Sequence, residues 1–331
     1  MSRIGSWLVL SFRLLRWEVL ASAAGVALLT AAMLWFAWQL RTLAATEPAC
    51  LDPTTYVEAC EQSPQPFYEL SSRAELLSYL GWAAPFGMGL VLGIPLVSRE
   101  IEQRTAGMAW ALSRSRARWL AWRVAFAAVV LIVLLLVVAI ASEVLASAQM
   151  PTRQLDDDFA WYGRRGGLMV VRGLAALGVG VLLGAVLGRV LPALLLAVFA
   201  SALIFTVISL GMDRWIETDA VVQAFSDQAF SGQAGGRYLG QRVELLSGEL
   251  VDYGDLARRG ISVEVEDEEY RLFARPEDVG HPERMIGRSR VLIVPGHLYP
   301  QIVLRESAVV GGAALLLGLA SAAVVARRRP G

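Results

Sequence analysis

The residues best suited to specific chemistry lie in one polar stretch, residues 98–123, between two hydrophobic runs. It carries two charged clusters with tryptophans between them, a composition suited to ion pairing and docking. Trp110, Arg114 and Arg118 are spaced four residues apart, so a helix would place them on one ridge, with Ser113 beside it. One interpretation is an arginine-rich loop that only sets membrane orientation. The other is a docking helix that passes force from a soluble partner to a membrane domain.

The sequence of this stretch, IPLVSREIEQRTAGMAWALSRSRARWLAWRVA, resembles the intracellular loop of ABC-2-type transporter permeases, which links their second and third membrane helices. The matching residues are Pro95, Arg99, Glu100, Glu102, Thr105, Ala109, Trp110, Ser113, Ser115, Arg118 and Trp119. The sequence departs from the family pattern at Arg104, where Gly is common, and at Ala111, where Thr is usual. The resemblance implies contact with a separate ATPase subunit, through Arg99, Glu100, Glu102, Arg104, Thr105, Trp110, Ser113, Arg114, Ser115, Arg118 and Trp119.

The composition is that of a membrane protein: 56% of residues are hydrophobic and 18% are charged, against about 45–50% and about 25% in soluble domains. The formal net charge of zero argues against nucleic-acid binding. All 30 basic residues are arginine, so the chain lacks the lysine of the standard ATP-binding phosphate loop. No nucleophile or metal-ligand motif is present either. We therefore expect no enzyme activity, cofactor or metal in this chain, and any ATPase must be another polypeptide.

Six hydrophobic runs reach the length of about 20 residues that a membrane helix needs: 18–40, 79–98, 120–146, 168–188, 191–211 and 307–326. They predict an all-α membrane protein with six transmembrane helices, the fourth and fifth forming a hairpin at the Gly188–Val190 turn. Residues 1–17 have an arginine-bearing face and an apolar face, which predicts a separate amphipathic helix at the membrane interface. The predicted segments are thus 1–17, 18–211 with the coupling loop 99–119, 212–306, and 307–331.

The arginines are distributed unevenly between the two sides of this topology, which favours a cytoplasmic N-terminus. That orientation places inside Arg3, Arg13, Arg16, Arg99–Arg123, Arg189 and Arg327–Arg329, and the short outer loops then hold only Arg41, Arg73, Arg153, Arg164 and Arg165. Both termini are then cytoplasmic in a multi-pass protein of the plasma membrane. Cys50 and Cys60 fall outside, where a disulfide is favoured over two free thiols.

Residues 212–306 form the largest polar segment and predict a small α+β extracytoplasmic insertion between helices five and six. Strands are expected in Arg242–Leu246, Ile261–Phe273 and Arg290–Val294, where apolar residues alternate with polar ones. Within the membrane runs, Glu143 and Arg172 could form an ion pair or could both extend to the outer interface; the second is favoured.

Glycines at Gly180, Gly184 and Gly188, and others in the second run, predict close helix packing. The glycine faces could pack against other helices of the same bundle. Alternatively, they could contact a second permease copy and line a transport pathway that opens and closes.

The resemblance implies the permease subunit of an ABC-2-type exporter that couples ATP hydrolysis by a partner ATPase to export of an amphipathic or hydrophobic substrate. The working unit would be two permease domains, identical or different, and two ATPase subunits at a lipid bilayer. The alternative is a membrane sensor or scaffold whose extracytoplasmic domain binds a ligand or a protein. The size of residues 212–306 favours the alternative, and the match of the loop residues opposes it.

Overall fold

The computed structural model describes residues 3–46, 65–105, 115–151, 153, 155–224, 236–252, 255, 258, 271–273 and 285–328. Its helices are α1 (Arg3–Thr46), α2 (Gln65–Gly93), α3 (Pro95–Glu102), α4 (Arg116–Gln149), α5 (Leu168–Leu187), α6 (Val190–Glu217) and α7 (Tyr299–Arg327). Its strands are β1 (Val221–Ala224), β2 (Arg237–Leu245), β3 (Leu250–Asp252), β4 (Arg271–Phe273) and β5 (Met285–Val294). Cys50 and Cys60 lie outside the described residues, so their pairing stays a prediction.

Six helical segments are long and apolar enough to cross a membrane: Leu15–Thr46, Pro66–Glu102, Arg116–Gln149, Leu168–Leu187, Val190–Glu217 and Gly296–Arg327. Each predicted hydrophobic run overlaps one of them. The mostly helical architecture with six candidate spans is therefore confirmed.

Several helices extend beyond the predicted bounds. Helix α1 continues without interruption from Arg3 to Thr46, so the predicted boundary at residue 17 is not a break in secondary structure. No proline or glycine lies between residues 6 and 24, and nothing in that sequence stops the helix. Helix α6 continues to Glu217 and α7 begins at Tyr299, so both helices extend into the segment 212–306. The position of the first turns of α1 at a membrane interface stays a prediction.

Helices α2 and α5 pack closely because glycines face each other. A Cβ atom added at Gly89 would lie 2.6 Å from the Gly173 carbonyl oxygen, and one added at Gly184 would lie 2.7 Å from the Ile94 carbonyl oxygen. Real Cβ atoms do not approach backbone oxygens this closely, so only glycine allows the observed spacing. The packing interpretation of these glycines is confirmed for one bundle, since the α2 and α5 faces cover each other.

The α5–α6 connection is the predicted tight turn. Gly188 adopts the left-handed conformation (φ 64°) and ends α5, and α6 begins two residues later at Val190. Val179 of α5 shares a buried apolar cluster with Ala193 and Ala197 of α6, so the two helices contribute to one part of the core.

The largest buried side chains of the helical bundle include Met33 and Leu40 of α1 and Leu131 and Leu135 of α4. Leu131 and Leu135 belong to a cluster that also takes Leu92 of α2, Leu96 of α3 and Leu177 of α5. Close packing of such side chains gains van der Waals contacts, which hold helices together in lipid, where no hydrophobic driving force acts between them.

The five strands form one antiparallel sheet in the order β1-β5-β2-β3, and β4 pairs with β5. The long strand β5 pairs with β2 from Val294 to Gly287, with β1 near its end and with β4 near its start. Predicted strands at 242–246 and 290–294 are confirmed by β2 and β5. Residues 153–160 and 210–302 make one compact unit, and residues 1–152, 161–209 and 303–331 make the other.

Candidate functional site

The short helix α3 begins at Pro95, and its position is fixed by burial of one face. Pro95 occupies the first helical position, where its missing N–H costs nothing. Leu96, Val97 and Ser98 are buried, and the Ser98 hydroxyl donates to the Ile94 carbonyl at 2.7 Å. The charged residues of the predicted site follow directly on the next turn, so a buried segment holds them in place.

Arg99 joins α3 to α1. Its Nη1 lies 3.2 Å from Oε1 of Glu18, with side chains 48% and 17% exposed. Glu18 is the single acidic residue of α1, and its second oxygen is buried without a hydrogen-bond partner in the described residues.

Glu100 joins α3 to α4 through an ion pair with Arg123. The Glu100 and Arg123 side chains are 14% and 11% exposed, so the pair is largely withdrawn from solvent. Arg123 also donates to the Leu96 carbonyl at 2.9 Å, and its guanidinium lies 4.5 Å from the centre of the Trp119 ring. A buried arginine that binds both a side chain and the backbone of α3 fixes the distance between α3 and α4.

Glu102 joins α3 to α6. Its Oε2 accepts the backbone N–H of Val190 at 3.1 Å. Val190 is the first residue of α6, where backbone N–H groups lack partners inside the helix and a carboxylate is favourable. Three charged residues of α3 therefore contact three different membrane helices. We call Arg99, Glu100 and Glu102, with their partners Glu18, Arg123 and Val190, the α3 hub.

Helix α3 ends in a Schellman motif with an arginine at the left-handed position. The Arg104 N–H donates to the Ile101 carbonyl at 3.1 Å, and the Thr105 N–H donates to the Glu100 carbonyl at 2.9 Å. Arg104 has φ 58°, a conformation that glycine adopts without a steric cost. Arg104 and Thr105 are exposed, so they stand on the surface of the protein.

The second half of the polar stretch resumes at Ser115, which caps α4. Ser115 is extended (φ −156°, ψ 147°), and its side chain accepts the Arg118 N–H at 3.2 Å. This cap interrupts the predicted ridge, because Arg118 belongs to a helix that begins only at Arg116. Trp110, Ser113 and Arg114 lie outside the described residues.

The two remaining residues of the predicted contact differ in exposure. Arg118 is exposed, whereas Trp119 is 4% exposed and belongs to the bundle core. The indole of Trp119 packs inside this chain, and its contact with a partner stays a prediction.

Comparison with known proteins adds an independent observation. Residues 23–215, more than half of the chain, match the family model described as ABC-2 membrane transporter related. The chain belongs to this family. No curated protein and no solved structure matches it. The matched region contains α3 with Arg99, Glu100 and Glu102, and permeases of this family are membrane components of transporters.

Two arginines of the ABC-2-related protein that sequence reasoning missed connect further helices near the hub. Arg116, at the start of α4, donates to the Arg328 carbonyl at 2.5 Å. Arg328 in turn donates to the Ala185 carbonyl and to the Val186 carbonyl at the end of α5. Arginine is favourable at helix C-termini, where carbonyl groups lack partners. The Arg327–Arg329 run predicts membrane orientation. Its position next to a helix end also indicates that an arginine of the run can cap carbonyl groups at the end of a neighbouring helix.

Glu143 and Arg172 do not pair with each other, and their extension to the outer interface stays a prediction. Glu143 binds Arg165 at 3.1 Å, and Arg172 binds Glu306 at 2.6 Å. Glu306 was assigned to the insertion, but it lies on the second turn of α7 because that helix begins earlier than its hydrophobic run.

Proposed function

We propose that this protein is the permease subunit of an ATP-driven exporter and that a separate ATPase subunit docks on residues 103–118. The α3 hub then carries the displacement of the docking surface to α1, α4 and α6. One observation carries the proposal: three charged residues within one turn of α3 each contact a different membrane helix. A loop that served only to set topology would not need these contacts.

The contacts of α3 favour movement as a unit. Its buried face and its ion pair with Arg123 tie it to the bundle, and its first residue follows α2 after Ile94 alone. Close-packed helices respond to displacement by switching between discrete arrangements rather than by deforming continuously. A push on α3 is therefore transmitted to the helices it touches.

The exposed residues of the segment suit an acidic partner surface. Arg104 and Arg118 are exposed at the two described ends of the segment, with Thr105 beside the first. Arg114, Trp110 and Ser113, between those ends, stay in the proposed docking surface on the sequence resemblance. Charged rims of this kind steer association and set specificity more than they add affinity.

The family and the composition support a proposal for the assembly and the cargo. We propose two permease copies, identical or different, with two ATPase subunits, both chain termini in the cytoplasm and the sheet unit outside. The ATPase must be separate because the chain contains no lysine for a standard phosphate loop. An amphipathic or hydrophobic substrate suits a bundle whose membrane runs are mainly apolar.

The sensor or scaffold alternative is supported by one observation. The five-stranded sheet belongs to a compact unit distinct from the membrane helices, as a ligand-binding domain would be. This alternative needs no ATPase and predicts no nucleotide-dependent change in the membrane helices.

Co-purification with the candidate ATPase in nanodiscs tests the proposal. Arg118→Glu should reduce ATPase recovery about tenfold, since a charge at a docking rim is reversed. Arg16→Glu is the matched control, because Arg16 is an exposed arginine of α1 on the same predicted side of the membrane. Failure of the unsubstituted chain to recover any ATPase would overturn the exporter proposal and favour the sensor or scaffold alternative.

A further inference from the structure

At the end of the helical bundle opposite α3, three arginines form ion pairs that connect the helices. Two of them lie in one turn, and the third lies on the helix that follows this turn. We call residues 161–167 the Trp161 turn. Two arginines of this turn, and Arg172 on the next helix, each pair with a carboxylate of a different helix: Arg164 with Glu75 of α2 at 3.6 Å, Arg165 with Glu143 of α4 at 3.1 Å, and Arg172 with Glu306 of α7 at 2.6 Å. The arginines therefore connect α2, α4, α5 and α7 at one level of the bundle.

Of the three ion pairs, Arg172–Glu306 has both side chains largely buried and has additional hydrogen bonds to the Trp161 turn. Its side chains are 13% and 6% exposed. Oε1 of Glu306 accepts from Nε and Nη2 of Arg172 at 3.1 and 2.6 Å. Oε2 of Glu306 accepts the Tyr162 hydroxyl at 2.5 Å, and Nη1 of Arg172 donates to the Gly163 carbonyl at 2.8 Å. Both charges are satisfied by the Trp161 turn and by each other.

The backbone of the turn is shaped around these pairs. Gly163 and Gly166 have φ of 75° and 74°. A Cβ atom at Gly163 would lie 2.7 Å from Nη1 of Arg172, and one at Gly166 would lie 3.2 Å from Oε1 of Glu143. Substitution at either glycine therefore presses on an ion pair as well as straining the turn.

The conformation of Trp161 in this turn is energetically unfavourable. It is not glycine and yet has φ 59°, and its buried indole N–H has no hydrogen-bond partner in the described residues. Arg164 lies between the rings of Trp161 and Tyr79, 5.1 and 4.0 Å from their centres. A strained residue with an unpaired donor, kept in place by ionic contacts, is the kind of element that is found at switch regions.

We propose that the Trp161 turn and Arg172 form a releasable latch that holds this end of the bundle shut and opens during the transport cycle. The proposal rests on the proposed function, since that function supplies the driving displacement at the α3 end. Release breaks the Arg172–Glu306 pair, lets α7 separate from α5, and relaxes the left-handed conformation of Trp161. The latch explains why the one pair of the three with both side chains largely withdrawn from solvent connects α5 to α7.

A cysteine-accessibility experiment on the purified complex tests the latch. The reporter is Ser142→Cys in a Cys50→Ser, Cys60→Ser background, because Ser142 is 6% exposed and precedes Glu143. Labelling by a membrane-impermeant maleimide is measured in nanodiscs with the ATPase, with and without a non-hydrolysable ATP analogue. In the parent chain the analogue should accelerate labelling about tenfold, and Arg172→Gln or Glu306→Gln should give the fast rate without it.

Two further variants keep the test decisive. Tyr162→Phe removes one donor to Glu306 without changing shape, so it should give an intermediate rate even where Arg172→Gln fails to fold. Arg290→Gln is the control, because Arg290 and Glu244 form an equally short pair of 2.6 Å within the sheet; it should leave labelling at the parent rate. Equal labelling rates in the parent, Arg172→Gln and Tyr162→Phe chains would overturn the latch proposal. So would an increase in labelling rate with Arg290→Gln as large as the increase with Arg172→Gln.

The experiment separates the latch from the exporter proposal. If no ATPase co-purifies with the parent chain, the exporter proposal fails, and the comparison of Arg172→Gln with the parent chain without nucleotide still decides the latch. If the ATPase binds but the labelling rates do not differ, the latch is wrong and the exporter proposal is unaffected.

Discussion

Arg104 occupies a position that glycine would fill without strain. Its φ of 58° follows from the two hydrogen bonds that end α3, and a left-handed conformation costs an L-residue about 1–2 kcal/mol. The resemblance to the family pattern, which commonly has glycine here, therefore has a physical reason in the backbone. An exposed arginine at this cost is consistent with a docking role for its guanidinium.

Arg104→Gly is expected to raise the midpoint of thermal unfolding in detergent, because it relieves about 1 kcal/mol of backbone strain. Arg104→Ala is the control, since it removes the same charge and keeps a Cβ. Equal midpoints for the two variants would show that the strain is absent.

At this scale the sequence identified the polar stretch but not the direction of its side chains. Glu100 and Trp119 are directed into the bundle, and their partners, Arg123 and the core around Leu120, lie where the polar stretch 98–123 overlaps the predicted membrane run 120–146. Glu18 could have been found, because an acidic residue inside a long apolar helix calls for a partner. Its pairing with Arg99 depends on a contact between helices distant in sequence.

At the scale of elements, the contact between α2 and α5 depends on individual glycines. Gly89 faces the Gly173 carbonyl, whereas a Cβ atom at Gly87 would meet nothing within 4 Å. The two glycines lie two residues apart on the same helix, so they form a matched pair.

Gly89→Ala is expected to destabilise the protein by about 1–3 kcal/mol, because its methyl group must push α5 away from α2. Gly87→Ala should be neutral or slightly stabilising, since alanine has the higher helix propensity. Thermal unfolding of the two variants in the same detergent checks this. A loss of stability that is as large for Gly87→Ala would contradict the packing described for α2 and α5.

Hydropathy located all six spans but not their ends. Helix α6 continues past its apolar run to Glu217, and α7 begins eight residues before its run, at Tyr299. Polar helical turns outside the apolar run have no hydropathy signal. The strands β1 and β3 were missed for a related reason: each has four residues or fewer, too few for an alternating pattern to appear.

At the scale of the whole molecule, polar contacts near α3 reach all six membrane segments. The hub contacts α1, α4 and α6, and α3 itself follows α2. Arg116 and Arg328 then connect α4, α7 and α5 through backbone carbonyls. Arginine-rich termini that look like a topology signal therefore also act as helix caps.

Arg328→Gln is expected to lower the thermal midpoint of the protein, because the end of α5 loses its capping cation at a cost of about 1 kcal/mol. Arg327→Gln removes a neighbouring charge that is exposed on the same helix and should have little effect. A similar loss for both variants would assign the effect to net charge instead of the cap.

The central claim is that the α3 hub transmits the displacement of the docking surface to the membrane helices. The most direct test is the stimulation of ATP hydrolysis, which is the hydrolysis rate of the reconstituted complex divided by the rate of the free ATPase subunit. The parent chain is compared with Glu100→Arg and with the exchanged pair Glu100→Arg, Arg123→Glu, while ATPase co-purification is followed in parallel. Glu100→Arg should keep the ATPase bound and abolish the stimulation, and the exchanged pair should restore a substantial part of it, because the ion pair between α3 and α4 is re-formed. Full stimulation in Glu100→Arg, or loss of binding as large as in Arg118→Glu, would contradict transmission through the α3 hub.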